Sequence, residues 1–378
     1  MALEGMESDT GEELPLPNPD MLVENELTEL QTSTNSGRAL QAAQDEAVDV
    51  QGTLDGMSEH MQKSADEGEG MSAPVAQALN TAVEHLKIRV GFKGRAKFTA
   101  MEHLDAPARR QATRQAVAQH RAVSATLGRA LVISQEGILD NLKDRFTLLF
   151  TSEDKLLKRL DEAAGAYDKG TLKTEPISGA GWGRHLSSNT KDTVSGKDVL
   201  SELKRLDDLI GSDELGESVR GMSMCVLGLE AAVQKSNLYS SKKEIDRIES
   251  EHKDIETLYV RVEKQIGGEG KGGNKSSFEP LSKVDKTTLV SLLKKMLSSG
   301  KLQKDCDQLK ANLKGLAKAV AVNHEIRLAG FAAEDLRKAL AASRAAQNAL
   351  SVVSDLISTR VKVCHAAISY LAASTTGS

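Results

Sequence analysis

Apolar residues recur most regularly near the C-terminus. Leu350, Val353, Ile357, Val361, Cys364, Ile368 and Leu371 follow one another at steps of three and four, close to a heptad seam. Leu336 and Leu340 carry the seam upstream, and alanine is frequent around it. Such a helix needs a closely packed partner, supplied by the same chain or by another copy.

The same periodicity predicts helices elsewhere. Ser72-Ala73-Pro74 is a cap followed by a first-turn proline, and Val75, Leu79, Val83, Leu86 and Val90 then form one apolar face. Gly91 and Gly94 end or bend that helix, and the alternating basic and apolar residues of Lys87–Phe98 equally suit a short strand or hairpin. Asp105-Ala106-Pro107 starts a helix that runs to about Phe150, and another is predicted from Ser152 to about Tyr167. The glycine-rich stretch Gly165–Asp192, with Pro176 and Trp182, reads as an irregular loop. Ser195 to Asp198 resembles a capping box, with helices expected at about 197–210, 213–236 and 240–265. Gly267–Ser277 has linker composition, and Asp285 is expected to cap a helix ending near Gly300.

Residues 1–71 break this regularity. Pro15, Pro17 and Pro19 interrupt the chain, apolar residues are sparse, and the segment reads as disordered or weakly helical, with a short helix around Met21–Leu30. Over the first 69 residues 17 acidic side chains face two basic ones, Arg38 and Lys63. The formal net charge of −5 therefore hides a basic remainder. Aromatic residues make up 3% of the 378, while Ala, Leu, Lys, Glu and Ser dominate, which favours helices over strands. The fold expected is all-α: an elongated helical bundle with a long C-terminal helix and a disordered acidic N-terminus.

No catalytic constellation stands out. Gly267–Gly273 lacks the Gly-Lys-Ser/Thr ending of a phosphate loop, and Gly221–Cys225 lacks the last glycine of a nucleophile elbow. The histidines form no metal-binding pair, and Cys225, Cys306 and Cys364 are too widely spaced for a zinc site or a disulfide framework. Neither cofactor nor metal is expected, and no apolar run approaches the roughly 20 residues needed to cross a bilayer. The charged candidate is the basic stretch from Lys87 to Arg129. Arg109, Arg110, Arg114 and Arg121 are its candidate phosphate contacts, by charge and without base stacking. The alternative is a solvated face, or one that pairs with the acidic head in cis.

Ser134-Gln135-Glu136, followed by Gly137, completes the picture, together with the opening Met1–Ser8. An acidic head, a helical aromatic-poor body and this tripeptide together resemble the internal head (inner-body) proteins of large tailed phages of the phiKZ type. That resemblance implies a non-enzymatic virion structural protein, in the host cytoplasm during assembly and packaged then into the head interior. It also implies a propeptide cut off by the phage prohead protease after a small residue-x-Glu motif, here between Glu136 and Gly137. Ala65-Asp66-Glu67, Ala82-Val83-Glu84, Ala100-Met101-Glu102, Ser277-Phe278-Glu279 and Ala332-Ala333-Glu334 fit the motif loosely too, and Ser134–Glu136 also reads simply as three residues of a helix. The implied partners are the protease, other head or inner-body proteins, further copies of the chain, and packaged DNA by charge. Cleavage would divide a precursor fragment of net −9 from a product of net +4. The expected organisation is then an acidic segment 1–71, a basic helical part of the propeptide 72–136, a helical domain 137–266, a flexible linker region 267–283 and a C-terminal helical domain 284–378. The competing reading is a cytosolic helical scaffold or binding protein that self-associates through its C-terminal helix.

Overall fold

The computed structural model describes residues 19–89, 104–179, 182–186, 193–210, 213–235, 241–266, 277–298, 300–326 and 333–376. The fold is all-α with a few two-residue strands. Its longest element is α3 (Ala106–Lys169), 64 residues and so roughly 95 Å at the helical rise of about 1.5 Å per residue. Asp105 starts it as expected: its carboxylate accepts from the Ala108 amide at 3.0 Å, with Pro107 in the first turn. The interruption expected near residue 151 is absent. The Thr151 hydroxyl bonds back to the Thr147 carbonyl at 2.8 Å and Ser152 is buried within the helix, so neither acts as a cap.

The acidic head also holds a helix, α1 (Pro19–Glu67), in place of the short one around Met21–Leu30; residues 1–18 lie outside the described residues. Its apolar residues are sparse but aligned. Val50, Leu54, Met61 and Ala65 share one face and are buried, so tertiary contact supplies what composition alone does not. α2 (Ala73–Arg89) follows a turn at Gly70. Gly70 has φ +84°, and a Cβ there would lie 2.8 Å from the Arg109 carbonyl carbon, so both backbone and space require glycine. Met61, Met71, Ala76, Ala112, Ala116 and Val117 form one small cluster, and Val50, Leu54 and Val83 another. α1 thus runs antiparallel to the first half of α3, with α2 against both. The hairpin alternative for Lys87–Phe98 falls mainly on residues 90–103, outside the described residues.

Everything else packs around α9 (Ala333–Ala373). All seven seam residues from Leu350 to Leu371 are fully buried, and no residue from Ala342 to Leu371 is exposed. The partner that the seam requires is therefore this chain: α3, α6 (Lys242–Ile266), α8 (Gly300–Ile326), α5 (Asp213–Gln234), α4 (Gly196–Ile210) and α7 (Lys283–Met296) all touch α9. That closes the seam on which the self-associating scaffold reading rests. The alanines allow the close approach, with Ala339, Ala342, Ala346, Ala349, Ala366 and Ala367 at the core. α8 was not marked by the sequence reading, although Leu302, Leu309, Leu313, Leu316 and Val320 line its buried face.

Local signals set the ends of these elements. The capping box holds: the Ser195 amide donates to Asp198 at 3.1 Å and the Asp198 amide to the Ser195 hydroxyl at 3.3 Å. At α7 the cap is Ser282, whose hydroxyl accepts from the Asp285 amide at 3.1 Å and donates to the Asp285 carboxylate at 2.7 Å. Asp285 is thus the third residue of the helix rather than its cap. The loop after α3 is tied down by short strands. β1 (Thr171–Leu172) pairs antiparallel with β5 (Thr375–Thr376). β2 (Ile177–Ser178) and β3 (Thr193–Val194) flank β4 (Ser277–Phe278), antiparallel and parallel respectively. Trp182, Phe278 and Tyr370 meet there with ring centroids 4.8–5.8 Å apart, and Tyr370 donates to the Glu279 carbonyl at 2.7 Å. Of the expected linker, residues 267–276 lie outside the described residues.

Candidate functional site

α3 carries both of the features singled out in the sequence. At its N-terminal end, helical geometry of about 100° per residue puts Arg110, Arg114 and Arg121 within roughly 40° of one another. From Ala106 to Gln135 the helix contains five arginines and no carboxylate. The end of α1 supplies the missing negative charge. Arg109 meets Glu69 at 2.8 Å and Arg114 meets Asp66 at 3.3 Å. The Asp66 carboxylate also accepts from the Gln62 amide at 2.6 Å. That bond first, then Arg114 and Arg121, holds its carboxyl below the usual carboxylate range. Thr113 fixes the turn, accepting from the Met71 amide at 3.0 Å and donating to the Arg109 carbonyl at 2.8 Å. Arg110 and Arg121 are exposed. Of the four candidate phosphate contacts, two are thus held by the acidic head in cis and two face solvent.

Ser134, Gln135, Glu136 and Gly137 lie in the middle of α3, helical throughout. The Gln135 side chain is buried and its amide donates to the Ser343 hydroxyl on α9. Glu136 is half-buried and Gly137 exposed, with open space where a side chain would be.

From Gln135 onwards a polar ladder joins α3 to α9. Arg145 pairs with Asp355 at 2.6 Å and reaches Ser351 at 3.5 Å; Glu153 pairs with Arg360; Arg159 donates to Ser369 at 3.5 Å. The partners are separated in sequence by nearly the same number of residues along the whole ladder, so the two helices run parallel. The Glu153–Arg360 pair is almost wholly desolvated, with side chains 4% and 3% exposed, and Arg145 is 1% exposed. No short-range pattern announces this ladder. The available signal is an arginine within an apolar run: Arg145 between Leu142 and Phe146, and Arg360 between Ile357 and Val361.

The family model for phiKZ-like phage internal head proteins matches residues 23–212. This chain belongs to that family. No curated protein and no solved structure matches it. An internal head protein works in the interior of the virion as a structural component of the phage head. The matched stretch takes in the basic face, the tripeptide and the α3 side of the ladder but none of α9, and it stops before α5.

Among the described residues no three His, Cys, Asp or Glu side chains gather to hold a metal ion, and no helix is long and apolar enough to cross a membrane. Burial pushes the Cys364 thiol up to about 12 and the Cys306 thiol higher still, so neither supplies a thiolate nucleophile near neutral pH. Cys225 is raised by burial as well, against the opposing pull of Arg247. His120, buried among the small clusters of α1, α2 and α3, is lowered by burial to about 4.

Proposed function

We propose that this internal head protein is made as a precursor whose residues 1–136 are removed by the prohead protease, leaving Gly137–Ser378 in the particle beside other head or inner-body proteins. The observation that carries this reading is where the main apolar core lies. Among the described residues, it begins at Ile138 and runs to Leu371. The two small clusters use described residues up to Val123. A cut after Glu136 therefore leaves every described residue of the main core in the product, which gives up its contacts with α1.

Two further points support it. Gly137, like Gly128 and Gly165 in the same helix, is disfavoured in a helix interior by about 1 kcal/mol relative to alanine, which lowers the cost of unwinding α3 at the bond a protease must extend. The fragment lost has net charge −9 and the product +4, which removes repulsion from packaged DNA. The contacts given up at the cut include the Gln135–Ser343 hydrogen bond. Intact mass and N-terminal sequencing of the protein extracted from purified particles test the reading. A species beginning at Gly137 is expected; a chain beginning at Met1 or Ala2 in mature particles overturns it.

A further inference from the structure

We propose that Arg110, Arg114 and Arg121 form a binding stripe for the phosphate backbone of double-stranded nucleic acid, and that the acidic end of α1 covers it in cis as a competing polyanion. This does not rest on cleavage at Glu136, since the stripe and its cover both belong to the uncut chain.

The stripe is built as a one-sided charge. Three arginines lie on one line of α3, spanning roughly 16 Å along the helix axis at about 1.5 Å per residue. The residues between them on the helix surface are uncharged, Gln111, Gln115, Ala118 and Gln119 among them, and no carboxylate occurs from Ala106 to Gln135. The neutralising groups come from elsewhere: Asp66 in the last turn of α1 meets Arg114 of the stripe, and Glu69, just past α1, meets Arg109 beside it. They come with 17 acidic residues in the first 69, far more than two ion pairs need.

The cover is weak by design of its exposure. Glu69 is 72% exposed and Arg114 is 60% exposed, and pairs of this kind contribute little in water and less in salt. A duplex, with its dense row of phosphates and counterions to release, outcompetes such carboxylates where three arginines engage it together. The neighbouring Asp66 carboxyl, held low by Gln62 and Arg114, stays charged across the range in which nucleic acid binds. Duplex rather than single strand is the ligand because no aromatic side chain lies from Leu104 to Arg145, leaving nothing on which an unpaired base would stack.

The test uses the full-length chain and a random-sequence DNA duplex of about 25 base pairs, with affinity followed from low to moderate salt. Asp66→Asn frees Arg114 of the stripe and Glu69→Gln frees Arg109 beside it; in the double variant binding tightens several-fold, and the slope of log affinity against log salt steepens by about one for the stripe arginine. Arg110→Glu with Arg121→Glu lowers affinity by about ten-fold or more. All four substituted side chains lie at or near the surface, and circular dichroism shows whether helicity is kept. An acid-neutralised chain that keeps its helicity and binds duplex no better than the parent overturns the cover. Arginine variants that bind as the parent does overturn the stripe. Equal affinity for a single strand of the same length overturns the assignment to duplex.

Discussion

The two halves of α3 solve the same packing problem in opposite ways. Before Gln135 the helix meets α1 and α2 through two small apolar clusters and through ion pairs that remain largely in water. After Gly137 it meets α9 through a continuous apolar core threaded with buried ion pairs. One continuous helix therefore joins a thin, charge-dominated layer to a body with a single large core. Burial of apolar area contributes about 25 cal/mol per Å², so the second half holds most of the stability and the first opens at lower free energy. That contrast is the one that the proposed removal of the N-terminal part requires.

The sharpest way to break the contrast is to strike the buried side of it. Arg360→Ala leaves the Glu153 carboxylate, 4% exposed, without its partner. Loss of one member of a buried pair costs about 3–5 kcal/mol, and urea unfolding should show that loss in the midpoint. Replacing both, as Arg360→Met with Glu153→Leu, should restore most of it, because two apolar residues of similar size remove the desolvation problem. If the double variant is as damaged as the single one, the pair does more than fill space.

This pair also marks where the sequence was legible and where it was not. Caps were readable because their chemistry is local: Asp105 meets Ala108, and Ser195 meets Asp198. The α9 seam was readable because seven apolar residues repeat within one helix. What covers the seam was not, since Glu153 lies more than 200 residues from Arg360 and nothing near either one points to the other. α1 escaped for a related reason. Its few apolar residues, Val50, Leu54, Met61 and Ala65, look too sparse to order a helix until α2 and α3 are set against them. The basic face lay between the two cases: charge found Arg109 and Arg114, and only the structure shows that Glu69 and Asp66 meet them.

A second substitution tests whether α9 is a core helix or a seam between copies. Ile357 is fully buried within the chain. Ile357→Ala opens a cavity that the surrounding helices only partly close, at a cost of about 2–5 kcal/mol. Its mass in solution, measured by light scattering, should equal that of the parent at every concentration. A fall in mass together with stability would mean that the seam also joins copies.

The smallest effect sharpens the contrast from the other side, because it should touch the N-terminal layer alone. Burial lowers His120 to about 4, below its ordinary value of about 6.5. The unfolded chain therefore binds a proton over that interval that the folded layer refuses. Stability from this group is fully present above about 6.5 and is lost progressively as pH falls towards 4. Between pH 7 and pH 5.5 the loss is about 1 kcal/mol. Over that range the Asp66 carboxyl, already held low, keeps its charge, so the nearby ion pair does not blur the result. Hydrogen exchange at the two pH values, expressed as protection factors, should show α1 and α2 opening more readily at pH 5.5 while the α9 amides hold. His120→Leu should abolish the difference. Equal loss of protection in α9 would show that the layer and the body unfold as one unit, and the contrast between the two halves of α3 would then have no energetic counterpart.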